Sequence, residues 1–520
     1  MAEEEKTKIA ERYKKLETKR TEVLARAREC VKLSIPSLLP PEGADETTVL
    51  YKPFQSLGAR GVNNLASKLM MTLMPPNSPF FKFTVDPDLV AETGQDDTAV
   101  DLQLADMESV VTQAIEASGE RVPTYQFIRL LITTGNALLY FPEEDRGGGM
   151  KVYRLDQYVI ERDPLGFVLE IIIKEKIAPQ AITDDVVKQK VLANLKKQEN
   201  SKTYVELYTR AVLDKATGKW NMSQEAQGEE LTDATGEYEK EDFPYLPLRW
   251  NSLANENYGR SHVDEAIGDL RALEGLSQAR LEGASASAKV LIFVDPNGTT
   301  RSTDVSKAEN LEVIEGRADE VTSFQLEKNS DLAVVRESIN DLKTEIAYHF
   351  LLNSSIQRNA ERVTAEEIRT MAGELENGLG GTYTVLSQEF QLPYIRIKMA
   401  RMKKAGVLPE GSEKIDPVIT TGLDGLGRGH DYNRLNTFIM GAKALGPKAE
   451  EKVNYTNALN QLAISLGLKP EDVVMSTEDQ QAVKEEEQAN EMMKGATGPI
   501  AGQVAKSMGE GMPQGEIPPQ

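Results

Sequence analysis

Asp331-Leu-Ala-Val-Val-Arg-Glu-Ser-Ile-Asn-Asp-Leu-Lys-Thr-Glu-Ile-Ala-Tyr-His-Phe-Leu-Leu352, then Asn353-Ser-Ser-Ile-Gln-Arg-Asn-Ala-Glu-Arg362, then Val363-Thr-Ala-Glu-Glu-Ile368, is the stretch that decides the fold. Leu332, Val335, Ile339, Leu342, Ile346 and Phe350 recur at three- and four-residue spacing. That period makes the first block a helix with one apolar stripe, roughly 33 Å long. The middle block is short, polar and basic. In the third block, Thr364 and Glu367 form a capping box, which starts a second helix sharply. That helix runs for about forty residues, against an average of about three turns in globular proteins. Gly373, Gly378-Leu-Gly-Gly381 and Pro393 predict bends along it.

Working towards the N-terminus, Val263, Ile267, Leu270 and Leu273 repeat the helical period through Ala288. This helix, roughly 40 Å long, ends in the small residues Gly283 to Ala288, which permit close helix approach. Between the two helices lie a strand at Lys289–Val294, a turn at Asp295-Pro-Asn-Gly298, and the short segments Glu312–Glu315 and Val321–Leu326. The order is therefore helix, small α/β tip, helix of similar length, basic loop, longer helix. Each stripe is only about 100° wide, so a single such stalk has little core of its own. Copies packed in a ring would cover the remaining flanks.

The rest of the chain reads as α+β, mainly α. Residues 3–34 form a charge-rich helix that stops at Pro36 and the Pro40-Pro41 pair. Further helices are expected over Ser56–Leu73, Val100–Ser118 and Thr124–Thr134. Met150–Ile160 and Gly166–Ile173 read as strands joined by the turn Asp163-Pro-Leu-Gly166. Thr203–Leu213 and Lys219–Ser223 flank a second turn, so residues 150–250 should hold a small antiparallel sheet. Residues 412–480 read as more helices, interrupted by glycines between Gly422 and Gly429. The tail from Lys484 has few large apolar residues and is expected to be disordered.

Composition limits what the chain does. Its 520 residues carry 60 Lys and Arg against 82 Asp and Glu, a net charge of −22. That balance argues against broad nucleic-acid binding, although an acidic wall can pass a polyanion without holding it. It also simply keeps a large protein soluble. Cys30 is the single cysteine, so no intrachain disulfide forms. No signal-peptide layout and no apolar run long enough to cross a bilayer is present. His262, His349 and His430 lie far apart in sequence without helix-spaced partners, so no metal centre is expected. Gly422–Gly429 lacks the Gly-Lys-Ser/Thr of a phosphate loop, and no nucleophile elbow occurs. Asp86, Asp88, Asp96 and Asp97 read as solvated loop residues. No catalytic residues and no cofactor are expected. The loop arginines Arg358 and Arg362 either pair with carboxylates of neighbouring helices or face a polyanion, which the planar guanidinium suits.

Four blocks carry a resemblance: Ser56 to Met70, Tyr258-Gly-Arg-Ser261, Asn353 to Pro393, and Thr421-Gly-Leu423 with Gly427-Arg-Gly429. Together they resemble the portal, or head–tail connector, proteins of short-tailed bacteriophages of the T-seven type, over most of residues 10–480. The resemblance implies a portal fold in a ring, usually a dodecamer, at one capsid vertex. On this pattern 1–260 form the wing, 261–288 and 331–352 the stem, and 289–330 the clip. Residues 353–362 form the tunnel loop, 363–429 a long kinked wing helix with its return, 430–490 a helical crown and 491–520 a disordered tail. It further implies a channel for double-stranded DNA, held non-specifically. Asn353, Ser354, Ser355, Gln357, Arg358 and Arg362 would sit in the tunnel loop, and Arg336 and Lys343 on the channel side of the stem. Asp295, Asn297 and Arg301 would lie in the clip that faces motor and tail. The partners implied are further copies of the chain, the terminase large subunit, major capsid and scaffolding proteins, a tail adaptor and internal core proteins, with no membrane. Assembly in the host cytoplasm into the virion follows. The C-terminal tail departs most from this pattern. One alternative is another virion ring or adaptor that binds proteins without threading DNA. A second is a metal-dependent enzyme using the acidic clusters.

Overall fold

The computed structural model describes residues 8–45, 47–76, 79–85, 97–142, 149–182, 184–197, 204–288, 290–310, 312–325, 329–352, 371, 373–375, 378–379, 381–408, 415–419, 427–447, 452–465 and 473–474. The 353–362 loop, the capping box at 364–367, the acidic residues Asp86, Asp88 and Asp96, and the tail from 484 lie outside them. Two compact units appear, one of residues 1–94 with 106–425 and one of residues 95–105 with 426–520.

Helix α1 (Ile9–Leu33) opens the first unit. Helix α2 (Leu57–Leu73) buries Leu65, Leu69 and Leu73 on one stripe, and strand β1 (Phe81–Val85) follows. Helices α3 (Asp97–Ala117) and α4 (Arg121–Thr134) come next. α4 stops where Gly135 turns left-handed at φ +73° and donates its N–H to Leu131, a helix end that glycine makes cheap. The chain goes straight into β2 (Asn136–Tyr140), a buried strand, not itself expected, just past the helix expected over Thr124–Thr134.

The expected strand over Met150–Ile160 is two strands in two sheets. β3 (Lys151–Tyr153) pairs with β2, and a turn at Leu155–Gln157 passes the chain to β4 (Tyr158–Arg162). β5 (Val168–Ile177), helix α5 (Asp185–Lys197), β6 (Val205–Leu213), β7 (Trp220–Ala226), β8 (Glu229–Tyr238) and β9 (Tyr245–Arg249) follow. The sheet order is β4-β5-β6-β7-β8, all antiparallel, and β3-β2-β9 forms a second sheet. Alternate residues of a strand face opposite sides. Ile172 and Tyr208 therefore pack with Ile9, Tyr13 and Leu16 of α1, while Val205 and Leu207 pack with Val187 and Val191 of α5. Arg12 of α1 bridges Glu161 and Glu170, and Arg210 meets Glu170 at 2.6 Å, locking α1 across three strands.

The stalk comes next. α6 (His262–Glu265) and α7 (Ile267–Ser287) replace the single expected helix, the break falling at Ala266. β10 (Val290–Val294), the short α8 (Ser302–Lys307) and β11 (Val321–Gln325) make the tip, with β10 and β11 antiparallel. Among the described residues Glu312–Glu315 has no strand partner, and Val313 is 95% exposed. α9 (Asn329–His349) returns along α7.

α10 (Gly381–Leu386) and α11 (Leu392–Lys404) flank a π-turn at Ser387–Gln391. There Leu392 N–H reaches the Ser387 carbonyl. Pro393 supplies no N–H and crowds the preceding turn, which accounts for the widened helix beside it. Glu120 is 1% exposed and accepts from Tyr394 at 2.5 Å and Lys398 at 2.7 Å, fixing α11 to the start of α4. β12 (Ile415–Ile419) corrects the expectation of helix over that segment, for it pairs antiparallel with β1. In the second unit α12 (Gly427–Ala444) packs with α13 (Tyr455–Ser465).

Candidate functional site

The stalk ends in a densely bonded foot, at the residues that precede Asn353. A helix leaves its last four carbonyls without helical partners. At the end of α9, Leu352 N–H donates to the Ala347 carbonyl at 2.8 Å and Leu351 N–H to Tyr348 at 3.0 Å. This double bond is a Schellman closure, and its left-handed residue is Leu351 at φ +52°. Glycine normally sits there, and a leucine costs about 1 kcal/mol in that conformation.

Side chains from other elements hold the strained turn. Asn64 Nδ2 donates to the Phe350 carbonyl at 3.3 Å and to the Leu351 carbonyl at 3.1 Å. Lys68 Nζ donates to the Leu351 carbonyl at 3.0 Å and lies 3.2 Å from Glu374. Both donors come from α2, one turn apart on the face it buries. Gly61, one turn earlier, is where α2 and α9 touch. A Cβ there would fall 2.5 Å from the Phe350 ring, so only glycine allows that approach without a shift.

His262 and His349 complete the foot. His262 Nε2 donates to the His349 carbonyl at 3.1 Å, and His349 Nε2 donates to the His262 carbonyl at 3.0 Å. A carbonyl only accepts, so both rings carry their proton on Nε2. The rings stack at 3.9 Å with 9° between their planes. Trp250 lies 5.5 Å from His262, and Phe350 stands edge-on to both rings. Burial, then the His262 charge, holds the His349 imidazole below its ordinary value. Glu265 sits 3.5 Å from His262 Nδ1, and that contact lowers its carboxyl. The histidines expected to be unrelated are thus in contact. Among the described residues, His262, Glu265 and His349 are the group with donor atoms within 4.8 Å of one another. Both Nε2 atoms already carry their protons into these two bonds, which leaves neither a lone pair for an ion. The cluster is a hydrogen-bonded pair, not a preformed cation cage.

The Tyr258–Ser261 block supports this foot from behind. Tyr258 OH accepts from Ile160 N–H at 3.1 Å. Gly259 exchanges two hydrogen bonds with the Asn136 side chain, and Ser261 caps α6 by accepting from Asp264 N–H at 3.0 Å. Cys30 lies buried beneath, its thiol pushed up to about 12 by burial.

The expected site residues divide three ways. Asn353, Ser354, Ser355, Gln357, Arg358 and Arg362 lie outside the described residues. Arg336 and Lys343 are both exposed on α9, and seven residues put them on one face, two turns apart. Asp295, Asn297 and Arg301 are exposed at the tip, but Asp295 and Asn297 also build its turn: Asp295 Oδ1 accepts from Asn297 N–H at 2.9 Å. The carboxylate that organises the tip is Glu320, which accepts from Thr299 and Thr300 N–H and the Thr300 hydroxyl, contacts that lower its carboxyl. Glu320, Asn64, Lys68 and the histidine pair escaped the sequence reading. One signal for Lys68 was present, a charged residue on the apolar stripe beside Leu65 and Leu69.

A family model described as bacteriophage head to tail connecting protein matches residues 6–474. The portal protein of Enterobacteria phage T3 is 35% identical, covering 98% of each chain. The portal protein of Escherichia phage T7 is 34% identical over 92% of this chain and 90% of its own. The portal protein of Pseudomonas phage phiKMV is 31% identical over 78% of this chain and 79% of its own. Among solved structures, the neck of an empty GTA particle aligns at 13% identity and a TM-score of 0.30, over 69% of this chain and 89% of that one.

Proposed function

The chain belongs to the bacteriophage head-to-tail connecting protein family, and from that premise we propose that it forms the portal ring of a short-tailed phage. The observation that carries this reading is the family match across residues 6–474. The ring, a dodecamer, stands at one capsid vertex. DNA passes through it inward during packaging by the terminase motor and outward on infection, after a tail adaptor has joined. The chain contributes a conduit and docking surfaces, without catalysis of its own. Residues 1–260 and 363–429 build the wing, α6 to α9 the stem and clip, and 430–490 the crown. Capsid and scaffolding proteins meet the outside of the ring, and internal core proteins meet the crown.

Two physical features favour the conduit. Each copy adds a charge of −22, so the ring repels phosphate and lets DNA slide. Arg358 and Arg362 follow the clamped foot by a few residues and supply sparse cationic contacts at the narrowest point, with Arg336 and Lys343 along the stem. Twelve copies of a 57.5 kDa chain weigh roughly 690 kDa. Native mass measurement and negative-stain images with an axial hole are expected. A solid ring or a small oligomer would favour an adaptor that threads no DNA. A Mg²⁺- or Mn²⁺-dependent nuclease or ATPase signal would favour the enzyme reading. The double variant Arg358→Ala/Arg362→Ala should still form rings but package or retain DNA poorly, and normal packaging and retention would remove the loop from the mechanism.

A further inference from the structure

The histidine pair does more than close a helix. Its two reciprocal bonds join the first residue of α6 to the last residue of α9, the two ends of the stalk that meet at the foot. We propose that His262 and His349 form an acid-sensitive latch, fastening the end of α9 to the start of the stem and loosening when both rings are charged.

Each Nε2–H bond needs one ring proton, which a neutral imidazole already provides. One extra proton fits, because Glu265 faces His262 Nδ1 at 3.5 Å and balances an imidazolium there. A second does not. It would put like charges on rings stacked 3.9 Å apart, between the Phe350 edge and, beside His262, the Trp250 ring.

The charged groups around the pair do not relieve this. On the pair's own helices, Glu265 is already committed to His262, and Asp269 acts on His349 only through space. Asp264 faces Cys30 of α1. From α2, Lys68 brings a positive charge to the Leu351 carbonyl and is engaged with Glu374. Among the described residues no carboxylate oxygen bonds a His349 ring nitrogen.

The direction follows from linkage. His349 is held below its ordinary value in the closed foot, by burial first and by His262 second. An opened foot therefore takes up the proton more readily. The latch is fully fastened above the ordinary histidine value of about 6.5 and weakens as pH falls below it.

Hydrogen exchange on the assembled full-length protein tests this, with rates corrected for intrinsic pH dependence. Amides of Phe350 and Leu352 should lose protection between pH 7.5 and pH 5, while the β5–β6 ladder keeps its own. His349→Gln places an amide donor where Nε2 stood but cannot titrate, so its protection should stay level across the range. His262→Gln removes the second ring charge but leaves the buried His349 to titrate, so its loss should be smaller than that of the wild type, and it serves if the first variant does not fold. Emission from Trp250, read in a Trp220→Phe background, should show a step over the same window that His349→Gln loses. A level wild-type profile overturns the latch. So does a loss in either glutamine variant equal to that of the wild type, or an equal loss in β5–β6, since either would mark general acid unfolding.

Discussion

The two ends of the stalk are made of the same helices and obey opposite rules. At the foot, Leu270 and Leu273 of α7, Ile339 and Ile346 of α9, and Phe350 just after it are nearly or fully buried. Beyond Ser277 no residue of α7 is buried, and before Ile339 no described residue of α9 is. The tip instead exposes Leu281, Leu291, Ile292, Phe293, Val313 and Val334. Each such side chain gains roughly 1–2 kcal/mol when covered. The foot is thus finished within one chain, while the tip leaves apolar side chains exposed. In the proposed ring, other copies would cover them, so stability and assembly would fall to different ends of one helix pair.

Breaking the foot should show in the stability of a single subunit. The largest effect is expected from Lys68→Met, which removes the donor to Leu351 and the partner of Glu374. The loss should be about 2–3 kcal/mol in urea unfolding, and an unchanged midpoint would mean that Asn64 alone holds the turn. Gly61→Ala forces the Phe350 ring aside and should cost about 1–3 kcal/mol. Its control is Gly275→Ala on α7, where a Cβ meets nothing within 4 Å and the helix should gain up to about 1 kcal/mol. Equal effects at the two glycines would erase the contrast. Leu351→Gly should be nearly neutral or gain about 0.5 kcal/mol, as relief of the left-handed strain offsets lost side-chain contacts.

At the tip the same measurement should barely move. Phe293→Ser, at a side chain 55% exposed, should change subunit stability by under about 0.5 kcal/mol. Ring yield by native mass should fall nonetheless. A stability loss without an assembly defect would place Phe293 in the subunit's own core.

The sequence showed the stalk because helical periodicity is local. α7, α9 and the β10 strand follow from side chains a few residues apart, and so do the β4–β5 and β6–β7 hairpins with their glycine turns. What it hid is whatever depends on distant residues. His262 and His349 are 87 positions apart, and neither has a neighbour in sequence that marks the pairing. β12 was hidden because the strand it pairs with lies more than three hundred residues away. Pro417 sits opposite Phe83, and among the described residues the ladder has two strands, so each is an edge strand, where a proline is tolerated. β2 was hidden because α4 runs into it with only Gly135-Asn136 at the change of period. The four recognisable blocks now have a physical content where they are described. Gly61, Asn64 and Lys68 hold the end of α9, and Tyr258, Gly259 and Ser261 hold the start of α6.

The β1–β12 ladder also says something about time. Phe81 pairs with Ile419 and Val85 with Ile415, so over three hundred residues must be made between the two halves. At roughly 5–20 residues per second the ribosome takes on the order of tens of seconds to supply the second strand. Until then β1 has an open edge, and the wide loop that must close makes this a late, slow step. A nascent chain therefore carries an unfinished strand through most of its synthesis, and its completion reports that residue 419 has been reached.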